Sequence, residues 1–413
     1  IRDIGVTGVQ TCALPILGTA QAPIRKYTGL AGSLGKAQLQ GVDAVKVIGT
    51  GLVLQLNSAS VGGAVLDWTQ PLLTGSKVGL SPTDPEFRIG GSIGLSIADV
   101  VLGNATLNLS RSTVSGVTVT DNGVVKTLRG DLLAFEINEA QLFIGSGATL
   151  NVDEASAAFG TATLPGSTDP VAVGFSVSGG DLSLGIFTAQ AELTGNAYTA
   201  LTGVRKYTGL QASLGKAQMQ GVDAVKLIST NLVFQLNKTS VAQGGVLDWT
   251  QSSVASAGVV LRATDPTFRI GGSVGLSIAD VVFGSATINL SLTSVSGVDD
   301  PSIDGTTARL RGSLLAVNIS GASLFIGSGA SLNEDSNSVD FGKVTLPASN
   351  DSKAVGFSVS GGSLDLGIFT AREAAADGQN YQTMGTARKY TGLEGALGDR
   401  KSTRLNSSHA NIS

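Results

Sequence analysis

The chain has 413 residues, with 27 Lys and Arg against 31 Asp and Glu, a net charge of −4, and 42% apolar residues. Mild acidity without basic clusters excludes a phosphate-binding surface built on Lys and Arg and docking on anionic lipid, and no apolar run approaches the roughly 20 residues of a membrane-spanning helix. Cys and His occur once each, as Cys12 and His409, so disulfide staples, His-based acid–base pairs and His or Cys metal sites have almost nothing to draw on.

Taken in chain order, the first segment is foreign in character. Val6 to Ile16 reads VTGVQTCALPI, the translation of one strand of a short-read sequencing adapter, and Asp399 to His409 reads DRKSTRLNSSH, the translation of its reverse complement. Residues 1–16 and 399–413 are therefore expected to be adapter-derived artefacts and are set aside from fold reasoning, like any fusion scar. That removes Cys12 and His409 from the chemistry. It leaves 17–398 as an expected internal fragment of a longer reading frame.

Arg25-Lys-Tyr-Thr-Gly-Leu30 then returns at Arg205 to Leu210 and at Arg388 to Leu393, intervals of 180 and 183 residues. Recurrence at a fixed period marks a tandem module. The expected organisation is repeat unit 1 over 17–204 (core 25–204), repeat unit 2 over 205–387, and the start of repeat unit 3 over 388–398. The Arg-Lys-Tyr block reads as the seam between modules, its Tyr packing the junction to the module before it.

Within a unit the apolar period is two. Leu52, Leu54 and Leu56 alternate with Val53, Gln55 and Asn57; Ile93, Leu95 and Ile97 follow, then Ala105, Leu107 and Leu109, then Phe135 with Ile137. Val173, Phe175 and Val177 precede Leu182, Leu184 and Ile186, and the second copy repeats the pattern at Leu232 to Leu236, Val274 to Ile278 and Ala286 to Leu290. Short alternating runs bounded by Gly, Asn, Asp or Ser predict half-buried strands, about ten to twelve per unit. Val177-Ser-Gly-Gly-Asp-Leu182 and Val359-Ser-Gly-Gly-Ser-Leu364 predict hairpin turns, and Gly41 to Asp43 and Gly221 to Asp223 predict further corners. Ser96 to Val101 is expected to leave strand geometry, and Arg372 to Ala376 is the one short helix the composition suggests. Stretches 72–86, 116–128, 150–170, 252–266, 296–308 and 331–352 read as surface loops, and 190–204 and 371–387 as short linkers. The fold class is thus all-β: tandem units of about 180 residues, made of consecutive antiparallel strands as a sandwich, roll or solenoid-like stack, with few helices.

Candidate site residues are few. Asp67-Trp68-Thr69 recurs as Asp248-Trp249-Thr250 and contains both tryptophans. Trp68 and Trp249 are the candidate ligand contacts, able to stack on a sugar, with a core tryptophan whose indole N–H finds a carbonyl as the competing reading. Asp84-Pro-Glu-Phe-Arg88 and Asp265-Pro-Thr-Phe-Arg269 suggest a structural ion pair of the Arg with that Asp, or with Asp99 or Asp280; Glu86 becoming Thr267 speaks against paired catalytic carboxylates. The acidic loop Asp299 to Gly305 is the best place for a calcium ion, the only cofactor considered. Arg129-Gly-Asp131 reads as a chance triplet, and Gly90 to Gly94 lacks the helix and Lys of a phosphate cradle. No catalytic, metal or cofactor-binding residue is assigned.

The block RKYTGL…SLGKAQ.QGVDAVK, the LDWTQ corner, the FRIGGS.GLSIADVV stretch and the GFSVSGG.L.LGIFTA close together resemble the tandem repeats of very large secreted or surface bacterial proteins, adhesin-like or RTX-associated giants of the kind assembled from metagenomic reads. The resemblance implies an extracellular or cell-surface spacer, stalk or adhesive module without chemistry of its own. Its expected partners are neighbouring repeats of the same chain, with surface glycans or host matrix proteins beyond them. The alternative reading is a ligand-binding β module for carbohydrate or an apolar ligand, stabilised by calcium.

Overall fold

The computed structural model describes residues 25–39, 44–60, 64–121, 123–166, 169, 172–222, 224–241, 244–300, 309–348, 351, 353–376, 379–398 and 400–403. In chain order the strands are β1 (Tyr27–Gln38), β2 (Val45–Ala59), β3 (Phe87–Ile97), β4 (Val101–Asp121), β5 (Val124–Ser146), the two-residue β6 (Thr149–Leu150) and β7 (Ala162–Thr163), and β8 (Val173–Thr194). There follow β9 (Ala197–Gln220), β10 (Val225–Thr239), β11 (Phe268–Ile278), β12 (Val282–Asp299), β13 (Arg309–Ser328), the two-residue β14 (Ser331–Leu332) and β15 (Val344–Thr345), β16 (Val355–Ala375), β17 (Gln382–Ala396) and β18 (Arg400–Thr403). Helical geometry among the described residues is confined to 3₁₀ turns at Pro71–Ser76 and Ala255–Ala257.

The protein is all-β, as the period-two pattern predicts. The long strands form one antiparallel sheet in the order β1-β2-β3-β4-β5-β8-β9-β10-β11-β12-β13-β16-β17, with β18 also on β16, while β6 pairs with β7 and β14 with β15. Neighbours in the sheet are therefore neighbours in the chain, apart from the small paired strands that are skipped. The strands are fewer and longer than the apolar runs suggest, because each run continues through its Gly or Asn instead of turning there.

The Ser-Gly-Gly hairpin signals show why. Val177 to Leu182 lies inside β8 and Val359 to Leu364 inside β16. Only one residue of each pair takes positive φ, Gly179 at 66° and Gly361 at 68°. A two-residue hairpin needs a primed turn geometry, whereas one extra left-handed residue makes a β-bulge and lets the strand run on; the register of β16 against β13 shifts at that point, between Ala322 and Leu324, which face Gly362 and Val359. The Arg372–Ala376 helix is likewise absent. Residues to Ala375 continue β16, Arg311 pairing with Glu373 and Arg309 with Ala375, so the ladder overrides helix propensity. The 190–204 linker is a hairpin, with Gly195 and Asn196 turning between β8 and β9. The stretch 116–128 is the far end of the β4–β5 arm. Between Ser96 and Val101 the chain leaves strand geometry at 98–100, turning through Ala98 and Asp99 at φ 53° and 52°. The Gly41–Asp43 corner lies outside the described residues.

The chain divides into two compact units that exchange segments: 1–164, 179–212 and 237–264 in the first, 165–178, 213–236 and 265–413 in the second. In the first, the principal core lies where Leu247, Trp249, Val254, Ala257, Val259 and Leu261 cover Val117, Val119, Leu128, Leu132, Ala134, Phe187, Ala189 and Tyr207. Residues 252–266, read from sequence as a surface loop, thus supply a large share of this core. Each large apolar side chain so buried stabilises by about 1.5–3 kcal/mol relative to exposure. A smaller cluster in the same unit gathers Trp68, Val78 and Leu80 against Tyr27 and Ala31. In the second unit, Ile228, Phe283, Phe325, Leu332 and Phe341 form one core and Leu310, Phe369 and Ala371 another.

Candidate functional site: the tryptophan corners and the polar groups around them

Each tryptophan stands at a corner closed by local hydrogen bonds. Asp67 Oδ1 accepts from the backbone N–H and the hydroxyl of Thr69 at 3.0 and 2.6 Å, and Asp248 does the same with Thr250 at 2.9 and 2.6 Å. These Asx-type bonds, the hydroxyl first, hold the Asp67 carboxyl below its ordinary pKa. Trp68 N–H donates to the Leu80 carbonyl and Trp249 N–H to that of Leu261, both at 2.8 Å, so two arms of the loop meet behind the ring.

Both rings lie in the core: Trp68 is 1% exposed and Trp249 fully buried. The indole N–H groups donate to Asn57 Oδ1 at 3.0 Å and Asn237 Oδ1 at 3.2 Å. The same asparagines donate from Nδ2 to the Leu66 and Leu247 carbonyls at 3.0 and 2.9 Å. A sugar stacks on a ring face, and neither ring offers one in this conformation. Trp68 and Trp249 are placed as core residues, and the residues that orient them, Asn57 and Asn237, were not singled out in the sequence. Their one signal there was recurrence in Gln-Leu-Asn at both sites; as polar alternates at strand ends they read as solvent-facing.

The Trp249 corner rests on glycines. A methyl group on Gly209 would lie 2.5 Å from the indole, and one on Gly185 would collide with its six-membered ring. Gln251 clasps the corner to β4: its Oε1 accepts from Thr118 N–H at 2.8 Å and Thr118 Oγ1 at 2.7 Å, and its Nε2 donates to the Thr118 carbonyl at 2.8 Å. One side-chain amide thus completes the hydrogen bonding of a strand-end residue as another strand would. Asp121 Oδ1 accepts from Gly245 N–H at 2.9 Å on the same side.

Beneath that corner the Arg-Lys-Tyr block lies inside β9, and its Tyr joins the core of the first unit. Tyr207 is buried and stacks on Phe187, ring centroids 6.1 Å apart; Tyr390 stacks likewise on Phe369. Arg205 lies 3.8 Å from Asp121 and 3.4 Å from Glu192, and Lys126 lies 3.5 Å from Asp121. Burial, and then the Asp121 charge, push the Tyr207 phenol up to about 12. In the second unit Arg388 pairs with the buried Asp300 at 2.5 Å. Asp300 belongs to the acidic stretch considered for calcium; its remaining residues from Pro301 to Gly305 lie outside the described residues. Among the described residues no three His, Cys, Asp or Glu side chains gather as a metal cluster.

The Asp-Pro-x-Phe-Arg arginines take different partners from those expected. Arg88 Nε donates to Asn108 Oδ1 at 2.9 Å, Asn108 Nδ2 to Glu136 Oε2 at 3.0 Å, and Arg269 Nε to Asn289 Oδ1 at 2.8 Å. The cross-strand neighbour decides: Arg88 lies diagonally across the β3–β4 ladder from Asn108, whose opposite residue is Gly90. Asp84 instead accepts from Ser81 N–H at 2.7 Å, closing its own turn, and Asp99 pairs with Lys46 at 2.8 Å. The row Arg88–Asn108–Glu136 borders an open depression with Thr106 and Asn138. Arg129-Gly-Asp131 lies within β5, with Asp131 bound to Arg111 and Gln190, both at 2.8 Å.

Compared with protein-family profiles, curated proteins and solved structures, the chain shows no significant match. Among the described residues no helix is long and apolar enough to cross a membrane.

Proposed function

We propose that the chain is a structural, adhesive-type module, a non-enzymatic spacer or stalk of a large extracellular bacterial protein whose length is set by repetition of the recurring sequence. The observation that supports this most is the fate of its distinctive side chains. The recurring Asp, Trp, Thr and Arg residues, and Gln251, are engaged with neighbouring side chains or with the backbone, holding corners onto a sheet. Its partners on this reading are adjacent repeats of its own kind, with surface glycans or matrix proteins contacted by other parts of the large protein.

The test combines mechanics with binding. Stretched singly between handles, the chain is expected to resist extension in discrete unfolding steps, and to show neither turnover on a broad hydrolase panel nor saturable binding on a glycan array. Turnover would overturn the reading. So would glycan binding abolished by Asn108→Ala, which would move the function to the polar row beside the open depression.

A further inference from the structure

We propose that the first unit carries a binding site for an aliphatic α-amino acid, with Arg129 as the group that holds its carboxylate.

One recurring arginine stands in two settings. Arg129 and Arg311 occupy the same place in the repeated Leu-Arg-Gly. In the second unit Arg311 lies opposite Glu373 in the β13–β16 ladder, pairs with it at 2.5 Å and stands 5.1 Å over the Tyr381 ring. In the first copy of the sequence, Ala191 takes the place of Glu373. The acids nearest in the chain are already taken: Asp131 is held by Arg111 and Gln190, and Glu192 by Arg205. Among the described residues Arg129 has no ion-pair or hydrogen-bond partner, although it is half-buried within β5. A charge drawn away from water calls for a partner.

Arg129 lines a cavity of about 490 Å³ together with Asp84, Glu86, Ser115 and Tyr198, a size that suits a small molecule. Among the described residues its guanidinium forms no ion pair with either acid, so the cavity presents positive and negative groups separately. Tyr198 Oη accepts from Gly116 N–H at 3.0 Å, which leaves its own hydrogen to donate. Glu86 Oε1 accepts from Thr113 N–H at 3.3 Å and Asp84 Oδ2 from Ser81 N–H at 2.7 Å, which leaves Oε2 and Oδ1 to accept. Val65, Pro82, Pro85 and Val114 form an apolar wall. Ser256, on the 3₁₀ turn after Trp249, also lines the cavity, so the site is completed by the copy of the recurring sequence that follows.

Those groups match an amino acid part by part. Its carboxylate meets the fork of Arg129 with Tyr198 beside it, its ammonium meets the oxygens of Asp84 and Glu86, and a short aliphatic side chain lies on the wall. The two acids repel a bare anion and the arginine repels a bare cation, so the cavity selects a ligand that carries both charges. Two differences between the copies separate this site from its counterpart. Ala191 in place of Glu373 leaves the arginine to a ligand. Glu86 in place of Thr267 adds an acceptor, whereas the Thr267 hydroxyl is spent on the Leu292 carbonyl at 2.9 Å. Such binding is additional to the spacer role and does not rest on it.

The test is isothermal titration calorimetry of the full chain with L-leucine, and with 4-methylpentanoate and 3-methylbutylamine, which keep only its carboxylate or only its ammonium. L-Leucine is expected to bind saturably at a single site per chain, and each single-charge probe more weakly by roughly tenfold or more. Arg129→Gln and Glu86→Gln are each expected to weaken L-leucine by roughly tenfold or more, since each removes a charge-assisted contact. Ala191→Glu gives Arg129 the partner that Arg311 has, and is expected to abolish binding while circular dichroism and the thermal midpoint show the fold intact. A wild type that does not bind L-leucine would overturn the proposal. So would 4-methylpentanoate binding as tightly as L-leucine, or L-leucine binding that persists in both Arg129→Gln and Ala191→Glu.

Discussion

At the scale of the residue, the corners depend on fit between an indole and a sheet without side chains beneath it. Trp249 meets two glycines and an asparagine carbonyl, and shares a core with apolar residues of β4, β5, β8 and β9. Trp249→Ala is expected to cost about 3–5 kcal/mol, because the loss of transfer free energy is joined by a cavity that the glycines cannot fill. Urea denaturation followed by circular dichroism measures this, and Trp249→Phe should recover part of it. Tyr207 gives the second test. Its phenol titrates at about 12 in the folded state against an ordinary 10.0. The stabilisation this represents is complete below pH 10 and is lost as pH rises through about 12, since the unfolded chain releases the proton first. Stability should therefore fall more steeply across that window in the wild type than in Tyr207→Phe.

At the scale of the element, bulges decide how far a strand runs. Gly51 at φ 58° and Asn231 at 52° occupy the same place in β2 and β10, each where the register slips by one residue against β3 and β11. Gly and Asn are the residues that tolerate that conformation. Gly179 in β8 is the same device, and Gly179→Val would force a β-branched residue to positive φ. The expected cost is about 1–3 kcal/mol, with Gly179→Asn much milder, read from thermal midpoints of the two variants. Alternation, the break in strand geometry between Ser96 and Val101, and the all-β class were legible in the sequence because they are local. Bulge against hairpin was not: Ser-Gly-Gly permits either, and the choice rests on which residues of the facing strand continue the ladder. The Arg372–Ala376 stretch failed for the same reason, its helix-forming residues being captured by Arg309 to Arg311.

At the scale of the whole molecule, the compact units do not divide at Arg205. The Arg205–Lys206 bonds lie inside β9, whose neighbours are β8 and β10, and the chain passes between units within β8, β9 and β10. Native chain treated with trypsin should therefore be spared at Arg205 and Lys206, as mass spectrometry of the fragments would show. Early cleavage there, yielding a stable product that begins at Lys206 or Tyr207, would establish a separable boundary instead.

The sequence by itself determined that this chain is built of antiparallel strands, that the chain leaves strand geometry between Ser96 and Val101 and at Gly221, and that Asp-Trp-Thr forms a distinct corner. Those features follow from a two-residue apolar period and from side chains that bond their own backbone, interactions spanning a few residues. Only the tertiary structure decided that Trp249 roofs strands more than 100 residues earlier in the chain, that Arg88 pairs with Asn108 in place of an aspartate, and that Asn57 and Asn237 sit inside the core. Register and packing between distant strands set those partners, and a strand shifted by one residue would present every side chain to the opposite face.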